Sequence, residues 1–179
     1  PLHYAVVTGN CELVEYLIEQ GANVNARSQN QNELSFPLHY ACEMGDLDVV
    51  RALLAGGARI DVHDSKERTP LSFACELGNI EVIKFLVDEH HAIVSEDDIN
   101  GACRAGHYDV VRYFFLKYED VLKDTGAFLY AAIRGHLERG RIDLDDDQEI
   151  GDEPGARVAE YLVREMSKRG VYEARNSLI

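Results

Sequence analysis

Apolar residues recur three and four positions apart in four stretches of the chain. The trios are Val14, Leu17 and Ile18; Val50, Leu53 and Leu54; Ile83, Leu86 and Val87; and Val111, Phe114 and Phe115. That spacing puts each trio on one stripe of a helix. The trios lie in the contiguous segments 11–18, 47–54, 80–87 and 108–115. Ahead of each stands a shorter stretch rich in small residues and closed by glycine, at Gly9, Gly45, Gly78 and Gly106, with a fifth such stretch ending at Gly135. The glycine fits a left-handed position just past a short helix, where a β-carbon is strained. The pattern therefore predicts helix–turn–helix units, with alanine and cysteine on the inner face of each first helix. One such pair cannot bury its apolar stripe alone, but a stack of them can.

The second helix of the fifth unit begins at Leu137, breaks off, and resumes at 158–163, which matches 13–18. Between them lies an insertion, 139–157. It carries seven acids (Asp143, Asp145, Asp146, Asp147, Glu149, Asp152 and Glu153) against three arginines. Gly151, Pro154 and Gly155 argue against regular structure at its end. Loops of this length are usually functional or disordered. A mobile acidic loop and a docking element for a basic partner are both open readings.

The finer motifs narrow the class. Pro1-Leu2-His3-Tyr4-Ala5, Pro37-Leu38-His39-Tyr40-Ala41 and Thr69-Pro70-Leu71-Ser72-Phe73-Ala74 resemble the Thr-Pro-Leu-His-x-Ala signature of ankyrin repeats. Gly21-Ala22-Asn23-Val24-Asn25-Ala26 and Gly57-Ala58-Arg59-Ile60-Asp61-Val62 resemble that family's closing segment. The resemblance implies an all-α ankyrin-repeat solenoid of stacked helix–turn–helix units. It spans 1–179 as a single domain, with repeats at about 1–34, 35–67, 68–97, 98–126 and 127–170. Residues 1 to about 94 carry the motifs well; the last two repeats keep only the helix core. Proline at the first helical position costs little, and Thr69 is placed to cap the following helix. In the family the histidine bonds across neighbouring turns, a role open to His3 and His39; Ser72 stands in its place in the third repeat.

The spacing between units is uneven. Ile60 to Ala74 leaves room for the projecting β-turn finger of the family, whereas Val94 to Ala102 and Leu122 to Ala131 do not. Fingers are expected in the N-terminal half. Gly9 to Gly45 is three residues longer than Gly45 to Gly78, and the extra length falls within 27–36. Ser95-Glu96-Asp97-Asp98 reads as a capping box that opens a helix directly.

Solenoids bind through the face built by first helices and fingers. On the family pattern, the exposed residues before each glycine line that concave face: Val7 and Thr8, Glu43 and Met44, Glu76 and Leu77, Arg104, and Arg134. Fingers add Arg27, Gln31, His63, Ser65, Lys66 and Arg68. Met44 and Leu77 beside acids suit an apolar anchor flanked by lysine or arginine. They equally suit the reading of ordinary surface residues.

The 179-residue chain has a formal net charge of −14. A surface this negative repels phosphate backbones and anionic lipid. The partner expected is another protein with a basic or mixed basic-apolar surface; nucleic acid and membrane are not expected. No apolar run reaches the roughly 18 residues needed to span a bilayer, and no leader is evident. Opening inside a motif, the sequence reads as part of a longer protein. Missing caps would then make the piece prone to self-association. Cys42, Cys75 and Cys103 share one slot in successive first helices, too far apart for disulfides. Free thiols suit an intracellular, cytoplasmic setting; secretion toward a host stays compatible with the family. No metal site or cofactor is expected. The alternating acids from Asp143 to Glu149 lack the glycine and the final acid of a calcium loop, with Gln148 and Pro154 at those positions. No catalytic motif occurs, and the chain is not expected to be an enzyme. Two functions follow: a protein-interaction module, or a structural spacer or recruiting arm for a catalytic domain elsewhere in the full-length protein.

Overall fold

The computed structural model describes residues 1–28 and 35–118. The chain forms two compact units, Pro1–Ser95 and Glu96–Ile179. The fifth repeat, its acidic insertion, Gln31 and Arg134 lie outside the described residues.

In the first unit, helices α1 (Leu2–Val7), α3 (Pro37–Met44) and α5 (Pro70–Leu77) pack side by side in one layer. Helices α2 (Cys11–Glu19), α4 (Leu47–Ala55) and α6 (Ile80–Lys84) form the second layer. The second unit contains α7 (Glu96–Ala105) packed on α8 (Tyr108–Lys117). Among the described residues there is no strand, as the 3.6-residue periodicity requires.

Local chemistry explains the element ends. Pro37 and Pro70 open α3 and α5. Thr69 Oγ1 accepts from the Ser72 amide at 3.2 Å, and Ser72 Oγ accepts from the Thr69 amide at 3.1 Å, a reciprocal cap. Asn10 and Asp46 cap α2 and α4 through the amides of Leu13 and Val49. Asn79 stands at the same position before α6, yet its side chain reaches back to the previous repeat. Its Nδ2 donates to the carbonyls of Cys42 at 2.8 Å and Glu43 at 3.1 Å. Gly45 makes this possible: its φ is +72°, and a β-carbon there would lie 2.6 Å from Asn79 Oδ1. Asn25 ties the first two repeats in a comparable way, donating to Gly57 O and accepting from the Arg59 amide.

The core follows the predicted stripes. Val14, Val50, Leu53, Ile83, Leu86, Val111 and Phe114 are fully buried. Cys42, Cys75 and Cys103 occupy the same buried slot and are free thiols.

The fingers rise before α3 and α5. The first is closed by Ser28 N–H donating to Ser35 O at 2.8 Å; the second by Asp64 N–H donating to Arg68 O at 3.0 Å. The closing pairs stand seven and four residues apart in sequence, a difference equal to the three extra residues of the first repeat. In the second finger Glu67 has a φ of +60°. That left-handed conformation costs an L-residue roughly 1–2 kcal/mol, and the Glu67 side chain is exposed. Glu67→Gly is therefore expected to stabilise the unit by about 0.5–1 kcal/mol, read from the urea midpoint at constant slope.

The third repeat carries one residue more between its second helix and corner. Ala22 N–H donates to Leu17 O and Ala58 N–H to Leu53 O, each spanning five residues, whereas Ala92 N–H donates to Leu86 O and spans six. The extra residue is absorbed as a π turn at Phe85–Glu89, where His90 N–H donates five residues back to Phe85 O at 3.3 Å. His91 takes the left-handed corner with φ +55°, the place held by Gly21 and Gly57 in the earlier repeats.

Candidate partner-binding site

The layer of first helices leaves its glycine-proximal ends open to solvent. Val7, Thr8, Glu43, Met44 and Leu77 are exposed, and Glu76 is half-buried. Tyr4, three residues before Val7 and hence on the same stripe, is exposed as well. It had no place among the sequence-derived site residues; the variable position of the Pro-Leu-His-x-Ala motif is the signal that marks it. Arg104 is exposed at the end of α7 in the second unit.

The finger residues divide by role. His63, Ser65 and Lys66 are exposed around the tip of the second finger. Arg27 stacks over the Phe36 ring at 5.2 Å. Arg68 is engaged inside the fold. Its Nη2 and Nε donate to Asp64 Oδ2 at 2.8 and 3.0 Å, its guanidinium carbon lies 4.1 Å above the Phe73 ring, and Nη1 is 3.6 Å from Glu76 Oε2. Asp64 is the organiser. Its Oδ1 accepts from the amides of Lys66 at 2.8 Å and Arg68 at 2.9 Å. Burial alone would raise the Asp64 pKa, but these amides and the guanidinium together hold it below the ordinary carboxylate value.

The finger is pinned to the neighbouring repeat by His39. Nδ1 accepts from the Phe36 amide at 3.2 Å, which makes Nε2 the protonated nitrogen of the neutral ring. Nε2–H donates to Arg68 O at 3.0 Å. The ring stacks on Phe36 at 5.8 Å and meets Phe73 edge-on at 5.4 Å. His3 occupies the same slot one repeat earlier, edge-on to Tyr40 at 5.9 Å. Its buried Nε2 falls short of a formed hydrogen bond, although the Ser35 carbonyl is close enough to favour its protonated form. Ser72 satisfies the local cap with a far shorter side chain.

Burial lowers the pKa of both histidines from 6.5, and the carbonyls of Arg68 and Ser35 offset this only in part. A folded state that resists protonation loses stability once the unfolded chain takes up protons. The unit is therefore expected to keep its full histidine contribution above about pH 6.5 and to lose it progressively below. A second loss begins near pH 3.8, where the unfolded form of Asp64 protonates. Urea midpoints measured from pH 8 to pH 3 test this, and a profile flat between pH 7 and 5 contradicts it.

Among the described residues, the thiols of the first-helix slot are poor nucleophiles: burial raises the Cys42 pKa and pushes Cys103 up to about 12. No group of three or more His, Cys, Asp or Glu among the described residues is placed to hold a metal ion, and no helix there is long and apolar enough to cross a membrane.

Paired helices in two layers, with turn fingers ahead of the first helices, define a helix–turn–helix repeat array whose first helices present exposed side chains at their glycine-proximal ends. The model for ankyrin repeats, in three copies, matches residues 2–98, and the chain belongs to the ankyrin-repeat family. Members of this family are generally protein–protein interaction modules and typically non-catalytic. A search of curated proteins finds no match to the chain.

Proposed function

We propose that the first helices and fingers form a binding surface for another protein with a basic or mixed basic-apolar face. The observation that carries this reading is the row of exposed apolar side chains Val7, Met44 and Leu77 on successive first helices, beside the exposed carboxylate of Glu43. Exposed apolar residues gathered on one face mark interaction surfaces more often than scattered ones. The charge of −14 favours a cationic partner. Thr8, Arg27, His63, Ser65 and Lys66 frame the surface in the first unit. Arg104, in the second unit, is proposed separately as a partner-contacting residue, as are Gln31 and Arg134 at positions outside the described residues. Arg68 and Glu76 act by holding the finger against α5, so their replacement disturbs fold and binding together.

The test follows from that division. Met44→Ser with Leu77→Ser, joined to Glu43→Lys, removes the anchors and reverses the exposed charge while sparing Arg68 and Glu76. Partner affinity is expected to fall by about 10- to 100-fold, with helicity and melting temperature unchanged. A captured partner indifferent to the triple change overturns the assignment.

A further inference from the structure

Helices α3 and α5 are close copies of each other. Pro37-Leu38-His39-Tyr40-Ala41-Cys42-Glu43-Met44 aligns with Pro70-Leu71-Ser72-Phe73-Ala74-Cys75-Glu76-Leu77, and each helix runs from a proline to the residue before a left-handed glycine. Each therefore carries an aromatic ring and a carboxylate three residues apart on one face. Counted back from the closing glycines of the five units, this pairing of ring and acid occurs in the second and third. The others hold Tyr4 with Val7, Gly101 with Arg104, and Tyr130 with Ile133.

In the third repeat the pair is occupied from within. Arg68 lays its guanidinium 4.1 Å above Phe73 and brings Nη1 to 3.6 Å from Glu76 Oε2. In the second repeat the residue equivalent to Arg68 is Ser35. Both carbonyls close their fingers, accepting from the amides of Asp64 and Ser28. Both also lie against the histidine of the preceding first helix, His39 and His3. Ser35 is buried and too short to reach the ring and the acid together. No lysine or arginine occurs from Ser28 to Phe36, and Arg27 is committed to the Phe36 ring. Among the described residues the ring contact of Tyr40 is with His3, edge-on at 5.9 Å, and no ion pair forms on Glu43. Phe73 accommodates its own edge-on histidine together with Arg68. Tyr40 is half-buried, and Glu43 and Met44 beside it are exposed.

From this we infer that Tyr40 and Glu43 form a subsite for an arginine side chain of the partner, stacked on the ring and paired with the carboxylate as Arg68 is on Phe73 and Glu76. The inference rests on the partner surface proposed above and names one residue that the partner brings to it. Arginine suits the slot better than lysine. A planar, weakly hydrated guanidinium lies on a ring and points an N–H at a carboxylate at the same time, whereas an ammonium is a compact, strongly hydrated charge. The net charge of −14 attracts either cation, so a preference for arginine is the distinguishing mark.

The experiment titrates the whole chain with acetyl-Gly-Arg-Gly-amide and, separately, with acetyl-Gly-Lys-Gly-amide. Nuclear magnetic resonance follows the Tyr40 ring protons and the Glu43 amide. The arginine probe is expected to saturate in roughly the millimolar range and to bind about threefold or more tightly than the lysine probe. Glu43→Gln and Tyr40→Leu are each expected to weaken it by roughly two- to fivefold. Tyr40→Phe is expected to leave it nearly unchanged, since Phe73 serves Arg68 without a hydroxyl. Glu43 is exposed and its side chain forms no ion pair among the described residues, so Glu43→Gln decides the matter even if Tyr40→Leu unfolds the unit. Equal affinity for the two probes, or affinity untouched by Glu43→Gln, overturns the inference. The broader reading fails separately. A captured partner sensitive to the Met44, Leu77 and Glu43 changes but indifferent to Tyr40→Leu overturns the arginine subsite alone.

Discussion

Asp64→Ala is expected to destabilise the first unit by about 3 kcal/mol, which is a large share of the 5–15 kcal/mol typical of a whole domain. Four hydrogen bonds end on this one carboxylate, two from backbone amides and two from Arg68. Its side chain is almost wholly buried, while that of Arg68 is only partly so. Removing it leaves two amides without their acceptor and a guanidinium with only the more distant Glu76 carboxylate as counter-charge. The loss spreads because Arg68 also stacks on Phe73 and supplies the carbonyl that His39 bonds. Asp64→Asn separates the two contributions. The amide oxygen still accepts from Lys66 and Arg68, so only the ion pair is lost and the cost falls to about 1–2 kcal/mol. Urea unfolding followed by circular dichroism measures both. Equal costs for the two variants would mean that the charge, and not the turn, holds the finger.

His39→Ser is the second large effect, expected to cost about 2–3 kcal/mol. Serine already performs the local cap at the equivalent Ser72, so the start of α3 should survive. What is lost is the Nε2–H bond to Arg68 O, the contact with Phe73, and the volume of a fully buried ring. Because both substitutions act through Arg68, their effects should not add. The double variant is expected to fall short of the sum by about 0.5–1.5 kcal/mol. Strict additivity in the cycle would show that finger and ring act independently. His39→Ser should also flatten part of the stability loss below pH 6.5, leaving the share due to His3.

Much of the fold was legible before any coordinates. Period-3.6 stripes located α2, α4 and α8, and the Pro and Gly positions bounded α3 and α5, because these signals act within a few residues of backbone. The same rule located α6. The segment after it, Phe85–Glu89, departs from the rule, since one added residue can be taken up by a corner or by a π turn and local spacing does not decide which. The candidate surface was legible as positions: Val7, Met44 and Leu77 are exposed where the repeat pattern puts them. The role of Arg68 was not, because a finger cation faces solvent or folds onto an aromatic ring depending on what the next helix offers. Here Phe73 and Glu76 hold it, and Asp64 lies within reach.

By itself the sequence determined the repeat, the helix pairs, the buried cysteine slot and the family, all of which rest on short-range spacing. Tertiary structure alone decided which polar groups join one repeat to the next: Asn79 on the Cys42 and Glu43 carbonyls, His39 on Arg68, and Arg51 over Phe85. These partners lie 29 to 37 residues apart, or one repeat away. A hydrogen bond or ring contact at that separation depends on the register of stacking, which no local periodicity encodes.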